Sequence, residues 1–91
     1  MPKNTIYYTP SAEVCLESIF RYIAEDSLYH ATRVIESIEK SISFLEEFPH
    51  IGTRVSGNDR YIVESQYKYK ITYRIDGTKV IITTIFKYKN L

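Results

Sequence analysis

The stretch YKYKITYRI, residues 67–75, limits the possible folds more than any other part of the chain, because its residue types alternate strictly. Its odd-numbered positions carry tyrosine or isoleucine, and its even-numbered positions carry lysine, threonine or arginine. A period of two puts these two sets on opposite faces of a β-strand. We therefore expect the Tyr/Ile face to lie on a hydrophobic core and the cationic face to look away from it.

The dipeptide Asp76-Gly77 follows this strand and predicts a two-residue hairpin turn. A type I′ turn needs positive φ at both central positions, which Asp-Gly adopts readily. Arg74 then faces Lys79 as a mildly destabilising like-charge pair. The register pairs Ile75 with Thr78, Tyr73 with Val80, Ile71 with Ile82 and Tyr67 with Phe86. In this register the cationic face carries Lys68, Lys70, Arg74, Lys79, Ile81, Thr83, Ile85, Lys87 and Lys89.

Two amphipathic helices are predicted before these strands. The first begins at Pro10, where Thr9 caps it, and buries a stripe with helical spacing. A break at Asp26-Ser27 starts the second helix, which is predicted over residues 28–48 and ends before Pro49. So short a break makes the two helices an antiparallel hairpin. The inward residues are Ala12, Leu16, Ile19, Phe20 and Ile23 in the first helix, and Ala31, Val34, Ile35, Ile38, Ile42 and Leu45 in the second.

The full order of elements predicts an α+β fold, β-α-α-β-β-β, with the helix hairpin packed on one face of a small, largely antiparallel sheet. The strands are expected at residues 4–9, 60–65, 67–75 and 79–88, with a loop over 50–59. No repeat, low-complexity tract or linker divides the chain, so residues 1–91 are expected to form a single domain. Its core should place Tyr69, Ile71, Tyr73 and Ile82 beneath Leu16, Phe20, Ile35 and Ile38.

Composition excludes several classes of protein. A lone Cys15 allows no internal disulfide or thiolate metal cluster, and two histidines, His30 and His50, are too few and too scattered for a zinc site. The sequence shows no secretory signal and no apolar run long enough to span a membrane. It also lacks a P-loop, GxGxxG, GxSxG or HExxH motif. We expect a cytoplasmic protein that binds no metal, cofactor or membrane.

A net charge of only +1 hides a polarised chain. Residues 1–48 carry four basic and eight acidic side chains, whereas residues 49–91 carry eight basic and three acidic ones. A basic surface is a candidate site for an anionic partner. Lysines on a solvated sheet face also prevent edge-to-edge aggregation, so charge alone leaves both interpretations open.

Cations and tyrosines on one sheet permit two kinds of chemistry. RNA carries its own nucleophile, the 2′-hydroxyl, so a protein without metal can cleave it with a base, an acid and a cation that stabilises the phosphate. The same side chains could instead bind phosphate or an acidic protein surface. The residue pattern alone does not choose between these functions.

Three segments in this order resemble the RelE/ParE superfamily, the toxins of type II toxin–antitoxin (plasmid stabilisation) systems. TPSAEVCLESIFRYIAED resembles the strand end and first helix, and ATRVIESIEKSISFLEEFPHIGTRV resembles a long second helix closed by a Pro-x-x-Gly loop. RYIVESQYKYKITYRIDGTKVIITTIFKYKN resembles three strands with a Tyr-x-Tyr-x-Ile-x-Tyr core. The resemblance covers nearly the whole chain and implies the same α+β fold.

The superfamily divides by target: RelE-like members cleave mRNA in the ribosome, and ParE-like members poison DNA gyrase. For the nuclease branch the resemblance implies basic residues on the second strand, where this chain has Tyr61 and Val63. Lys70 matches an arginine position of that branch only partly, because lysine lacks the bidentate guanidinium fork. The tail IFKYKNL has no arginine and stops before the usual terminal tyrosine. The Pro-x-x-Gly loop with Arg54, and the tail, are closer to ParE.

We therefore expect a ParE-like toxin that inhibits growth through DNA gyrase and is neutralised by a cognate antitoxin, with no assigned catalytic residue. The alternatives are a metal-independent mRNA endonuclease acting at the ribosome, and an inactive basic binding module. An acidic or amphipathic antitoxin segment is expected to lie across the basic sheet face or along the helix hairpin and to cover exposed apolar surface such as Ile81 and Ile85. The toxin is expected to form a homodimer or a hetero-oligomer with the antitoxin. A nuclease would use Lys70, Lys87, Tyr88, Lys89 and Arg60; the candidates for target binding are Arg54, Arg60, Lys68, Lys70, Arg74, Lys87 and Lys89.

Overall fold

The computed structural model describes residues 3–88, which form two helices on one face of a five-stranded sheet. The elements are β1 (Thr5–Tyr8), α1 (Pro10–Ala24), α2 (Leu28–Ser43), a 3-10 turn (Phe44–Glu46), β2 (Thr53–Ser56), β3 (Asp59–Glu64), β4 (Tyr69–Asp76) and β5 (Lys79–Lys87). The strand order is β1-β5-β4-β3-β2, with β1 parallel to β5 and the other pairs antiparallel. The predicted α+β fold is confirmed, and β2 is an additional strand within the segment predicted as a loop.

Both helices begin where the sequence predicts, because each has a side-chain cap. Thr9 Oγ1 accepts a hydrogen bond from the Ala12 N–H at 3.1 Å, and Ser27 Oγ accepts one from the His30 N–H at 3.1 Å. The second helix is shorter than predicted and ends at Ser43, where the chain tightens into the 3-10 turn. Neither helix in the described part of the chain is long and apolar enough to cross a membrane.

The Tyr/Ile face of β4 lies beneath the helices, which confirms the prediction from its alternation. Helix α2 covers this face more completely than α1, whose only fully buried residue is Ala12. The other inward residues of α1, among them Leu16 and Phe20, are half-buried. The buried apolar side chains are Ala12, Ala31, Val34, Ile38, Ile42, Leu45, Tyr69, Ile71, Tyr73, Val80, Ile82 and Ile85.

The β4–β5 turn differs from the prediction by one residue. Asp76 pairs with Lys79, so the two turn residues are Gly77 and Thr78. Gly77 has φ +61°, and the only non-glycine residue with positive φ between residues 3 and 88 is Lys68. Positive φ at the first turn position alone is typical of a type II′ turn, which places glycine first. The predicted register was therefore wrong, and Arg74 lies opposite Ile81 instead of Lys79.

A β-bulge changes the register again in the middle of the hairpin. Thr72 pairs with Thr84 while its neighbour Tyr73 pairs with Ile82, so Thr83 is an extra residue on β5. One extra residue reverses the facing of everything that follows it. Ile85 is therefore buried beneath the helices, and the prediction that it lies exposed on the cationic face was wrong.

The predicted positions of three further residues, near the bulge and in the turn between β3 and β4, were also wrong. Phe86 pairs with Lys70 and faces away from the helices, so it does not face Tyr67. Lys87 pairs with the buried Tyr69 and lies on the helix side of the sheet, although it was predicted on the cationic face. Lys68 is not in a strand at all, since it lies in the turn between β3 and β4 with φ 63°.

Candidate functional site

The sheet face turned away from the helices, here called the outer face, carries a cation surrounded by aromatic rings. Lys70 Nζ lies 4.2 Å from the ring centroid of Tyr61 and 5.8 Å from those of Phe86 and Tyr88. The strand pairing explains this arrangement: Phe86 of β5 pairs directly with Lys70 of β4, and on β3 Tyr61 pairs with Thr72, two residues from Lys70 on the same face. Such cation–π contacts stabilise the ammonium without removing its charge. We call Tyr61, Lys70, Phe86 and Tyr88 the outer cluster.

Two other basic residues of the outer face lie apart from this cluster. Arg74 Nε donates a hydrogen bond to Asp59 Oδ1 at 2.9 Å, and this bond, with the charge of Asp59, raises the pKa of Arg74. Lys79 Nζ lies 5.8 Å from the ring centroid of Tyr7, on the same face but at the edge of the sheet formed by β1. The charge of Arg74 is thus partly neutralised, and Lys70 and Lys79 offer the more available cations among the described residues of this face.

The other sequence-predicted site residues do not join the outer cluster. Lys87 Nζ donates to the backbone carbonyl of Tyr67 and lies 4.9 Å from the ring centroid of Tyr69, on the helix side. Arg54 lies on β2, where its Nε donates to the carbonyl of Gly57 at 3.1 Å. Lys89 lies outside the described residues. Of the predicted nuclease set, Lys70 and Tyr88 are brought together, whereas Lys87 and Arg60 are not.

Arg60 fastens the Pro-x-x-Gly loop that follows the helices. Its Nη1 donates to the carbonyls of Gly52 at 2.9 Å and His50 at 3.2 Å. Tyr73 Oη completes the anchor, because it donates to the carbonyl of Pro49 at 2.7 Å and accepts from the Gly52 N–H at 3.0 Å. Burial raises the pKa of Tyr73, so its hydroxyl keeps the proton it donates. The Arg60 guanidinium therefore holds the loop in place.

Gly52→Ala is expected to destabilise the chain by about 1–3 kcal/mol, because a Cβ here overfills the loop anchor. That atom would lie 2.7 Å from the carbonyl oxygen of Tyr61 and 2.9 Å from Tyr73 Cε1. Urea unfolding measures the loss, and Thr53→Ala at the exposed neighbouring position is the control, expected within about 0.5 kcal/mol of the parent. Equal stability of the two variants would contradict the tight anchor.

An apolar groove of about 640 Å³ lies between α1, the start of α2 and the ends of β4 and β5. It exists because α1 covers the sheet incompletely, and it was not predicted from the sequence. A usable signal was present, since Val14 and Tyr22 are large apolar residues outside the predicted stripe of α1, and they are 61% and 77% exposed. The groove is lined by Val14, Cys15, Ser18, Ile19, Tyr22, Ile23, His30, Val34, Tyr67, Tyr69, Ile85, Phe86 and Lys87.

The carboxylate of Glu64, beside this groove, is buried at 1% exposure. Its Oε2 accepts hydrogen bonds from Ser37 Oγ at 2.6 Å and the Gln66 N–H at 2.8 Å, and its Oε1 accepts from the Tyr67 N–H at 2.8 Å. Burial acts to raise the pKa of Glu64, but the hydrogen bonds from Ser37 and from backbone N–H groups outweigh it and lower the pKa. Glu64 was not predicted from the sequence as a buried residue, although its pairing with Tyr69 puts it on the inward face.

Glu64 should make stability depend on acidity. Because its folded-state pKa lies below the ordinary value of 4.5, its contribution is complete above pH 4.5 and is lost as the pH falls through the folded-state pKa. Urea unfolding between pH 7 and pH 3 should show a steep acid loss in the parent and a shallower one in Glu64→Gln. Glu36→Gln, at an exposed site on α2, should keep the steep loss. Parallel acid profiles for the parent and Glu64→Gln would contradict the assignment.

Comparison with known proteins connects this arrangement to toxin–antitoxin systems. The sequence profile described as "ParE toxin of type II toxin-antitoxin system, parDE" matches residues 6–90. The chain is similar in structure to the chromosomal ParDE system of P. aeruginosa, with TM-score 0.81 and 16% identity over 94% of this chain and 97% of that chain. No curated protein sequence matches the chain.

Two RelBE complexes are also similar in structure. The toxin–antitoxin complex RelBE of E. coli gives a TM-score of 0.71 at 15% identity and covers 96% of this chain and 99% of that chain. The RelBE2 complex of Mycobacterium tuberculosis gives 0.70 at 18% identity and covers 99% and 97%. At such identities the likeness establishes the fold and leaves the choice of target to the chemistry of the site.

Proposed function

We propose, from the premise that the chain belongs to the ParE toxin family of type II toxin–antitoxin systems, that its target is DNA gyrase. The chain is the toxin component of such a system. In the proposal it acts in the cytoplasm, inhibits gyrase and thereby arrests growth until a cognate antitoxin neutralises it. Similarity to structures that are named as ParDE and RelBE systems supports an antitoxin as the partner.

One observation favours gyrase over mRNA as the target: the side chains that a ribonuclease would need do not converge. Lys70 and Tyr88 lie on the outer face, whereas Arg60 pairs with the buried Tyr73 and Lys87 lies on the helix side. Arg60 and Lys87 also donate to backbone carbonyls. Among the residues that the structure describes, a phosphate bound at the outer cluster would contact one cation, Lys70. Cleavage of RNA without a metal needs a base, an acid and a group that stabilises the charge on the phosphate.

A second candidate, ribosome-dependent mRNA cleavage, is favoured by the outer cluster itself. An ammonium 4.2 Å from a tyrosine ring offers a charge for a phosphate beside an aromatic surface on which a base can stack. Lys70 would then stabilise the phosphate, and Tyr61 or Tyr88 would contact the base or the reacting hydroxyl. In this case the chain is an enzyme. The third candidate, an inactive binding module, needs only the basic surface.

Induced expression with two measurements separates the three functions. Filamentation and DNA damage with intact mRNA support gyrase inhibition, and the purified chain should then block supercoiling of a relaxed plasmid by gyrase. Cuts within translated mRNA, with normal gyrase activity, would establish the ribonuclease instead. Normal growth at full expression would leave the inactive binding module. A reading frame for an antitoxin should lie beside the gene, and its absence would count against the whole assignment.

Lys70→Ala is expected to leave toxicity nearly intact. For a gyrase inhibitor, Lys70 supplies one charge at the rim of an interface, and such a loss changes mainly the association rate and its salt dependence. In a ribonuclease the same change should slow cleavage by ~10²–10³-fold. The measurement is the toxin dose that halves colony number, with Lys79→Ala on the same face as the control. A folded Lys70→Ala protein that no longer inhibits growth would favour the ribonuclease.

The antitoxin is proposed to place a segment in the apolar groove. The earlier expectation that it covers Ile81 and Ile85 fails for Ile85, which is buried. The groove instead offers apolar walls with His30 and the ammonium of Lys87 among its lining. These features suit an amphipathic segment with large apolar side chains and an acidic residue near Lys87.

Cys15, the single cysteine of the chain, lines the groove and can report on binding there. A bound segment should slow the alkylation of Cys15 by N-ethylmaleimide.

A further inference from the structure

Glu64 is a buried charged group whose hydrogen-bond donors are all neutral. Between residues 3 and 88 it forms no ion pair, and its two carboxylate oxygens accept from Ser37 of α2 and from the N–H groups of Gln66 and Tyr67. A buried carboxylate without hydrogen bonds would be strongly destabilising, so these bonds are needed for it to stay ionised there. They also tie the turn between β3 and β4 to the helix above it.

That turn forms one end of the apolar groove. The ring of Tyr67 meets the ring of His30 edge-on, with 5.5 Å between their centroids. The carbonyl of Tyr67 accepts from Lys87 Nζ, and the carbonyl of Lys68 accepts from the Tyr88 N–H at 2.7 Å. A single carboxylate therefore connects α2, the turn and the end of β5 where they border the groove.

We propose that Glu64 is a positioning residue for the groove. It holds the turn that carries Tyr67, here called the Tyr67 wall because Tyr67 lines the groove, where an antitoxin segment can bind. This rests on the proposed function, since it takes the groove as the antitoxin site. Glu64 itself is buried and does not contact the partner. Its ionised carboxylate keeps the turn in the binding-competent arrangement, so the antitoxin does not have to order the turn when it binds.

The charge of Glu64 is required in addition to its shape. Glutamine has nearly the same size, but its amide nitrogen donates hydrogen bonds and cannot accept them. Whichever way the amide of Glu64→Gln is turned, one of the N–H groups of Gln66 and Tyr67 loses its acceptor. That donor must move toward water, and the Tyr67 wall moves with it. Ser37→Ala removes only the bond to α2 and keeps both turn bonds.

The test compares the affinity of these variants for the protein encoded by the adjacent reading frame, co-expressed with the chain and purified. Glu64→Gln should bind it roughly 10- to 100-fold more weakly, the effect of losing a hydrogen bond to a charged group that holds the site. Ser37→Ala should lose about threefold or less. Before any partner is added, amide hydrogen exchange at Gln66 and Tyr67 should accelerate more in Glu64→Gln than exchange at the core amides of β4 does, whereas a purely global loss of stability would accelerate exchange across the core as well.

The control is Tyr73→Phe, which removes the loop anchor roughly 13 Å further along β4 from Tyr69. It should lower global stability and leave antitoxin affinity unchanged. The inference would be overturned if Glu64→Gln bound the antitoxin within twofold of the parent although its Gln66 and Tyr67 amides exchanged faster. The groove would in that case remain the proposed antitoxin site. If the antitoxin does not protect Cys15 of the parent from alkylation, the groove assignment fails and the inference fails with it. If Glu64→Gln does not fold, Ser37→Ala decides: both turn bonds remain, so exchange at Gln66 and Tyr67 and antitoxin affinity should stay close to those of the parent. A loss of affinity greater than about tenfold in Ser37→Ala with unchanged exchange at these amides would overturn the inference.

Discussion

Ile71→Ala is expected to lower the free energy of unfolding by about 2–5 kcal/mol, the usual cost of truncating a buried isoleucine. Ile71 is completely buried on β4, between Ile62 of β3 and Ile85 of β5, and α2 lies above it. Removing three carbons here leaves a cavity between layers that cannot collapse, because neighbouring strands fix the backbone on both sides. For a domain of this size, such a loss is a large part of the total stability.

Urea unfolding at pH 7 measures this loss, and Val55→Ala is its control. Val55 lies on the edge strand β2 and is 63% exposed, so its truncation should cost less than about 1 kcal/mol. An Ile71→Ala protein that unfolds at the urea concentration of the parent would mean that the inward face of β4 does not form the core. Retained toxicity at low temperature is expected, since the Ile71 side chain is completely buried and does not contact the target itself.

The inward face of β4 could be predicted because alternation between Tyr/Ile and Lys/Thr/Arg is a local property of one strand. The facing of β5 could not, because it depends on a register that the turn and the bulge set together. The turn uses Gly77-Thr78 in place of Asp76-Gly77, and one further extra residue, Thr83, reverses all that follows. At the bulge, the hydroxyls of Thr72 and Thr84 form a hydrogen bond with their oxygens 2.5 Å apart. Threonine is common throughout strands, so the sequence does not indicate that these two residues mark a bulge.

The candidate sites were less predictable than the fold because they depend on which side chains the tertiary structure already uses. Arg60 was a reasonable candidate for target binding by charge, yet its guanidinium donates to two carbonyls of the Pro-x-x-Gly loop. Lys70 was found by its position on the strand, but its aromatic neighbours come from β3 and from β5 beyond the bulge. The groove follows from incomplete coverage by α1, a packing property that helical periodicity does not report.

Val14→Asp is expected to weaken antitoxin binding by at least ~100-fold while the toxin stays folded and active. Val14 lies on α1 at the groove and is 61% exposed, so the carboxylate is hydrated in the free toxin and costs folding little. In the complex the carboxylate would be buried against an apolar segment without a partner, a penalty of about 3–5 kcal/mol in comparable sites. Titration calorimetry measures the affinity, and growth during co-expression measures neutralisation. Thr32→Asp, at an exposed position of α2, introduces the same charge away from the groove and should bind as the parent does. An antitoxin that binds and neutralises Val14→Asp as tightly as the parent would remove the groove from the proposed interface.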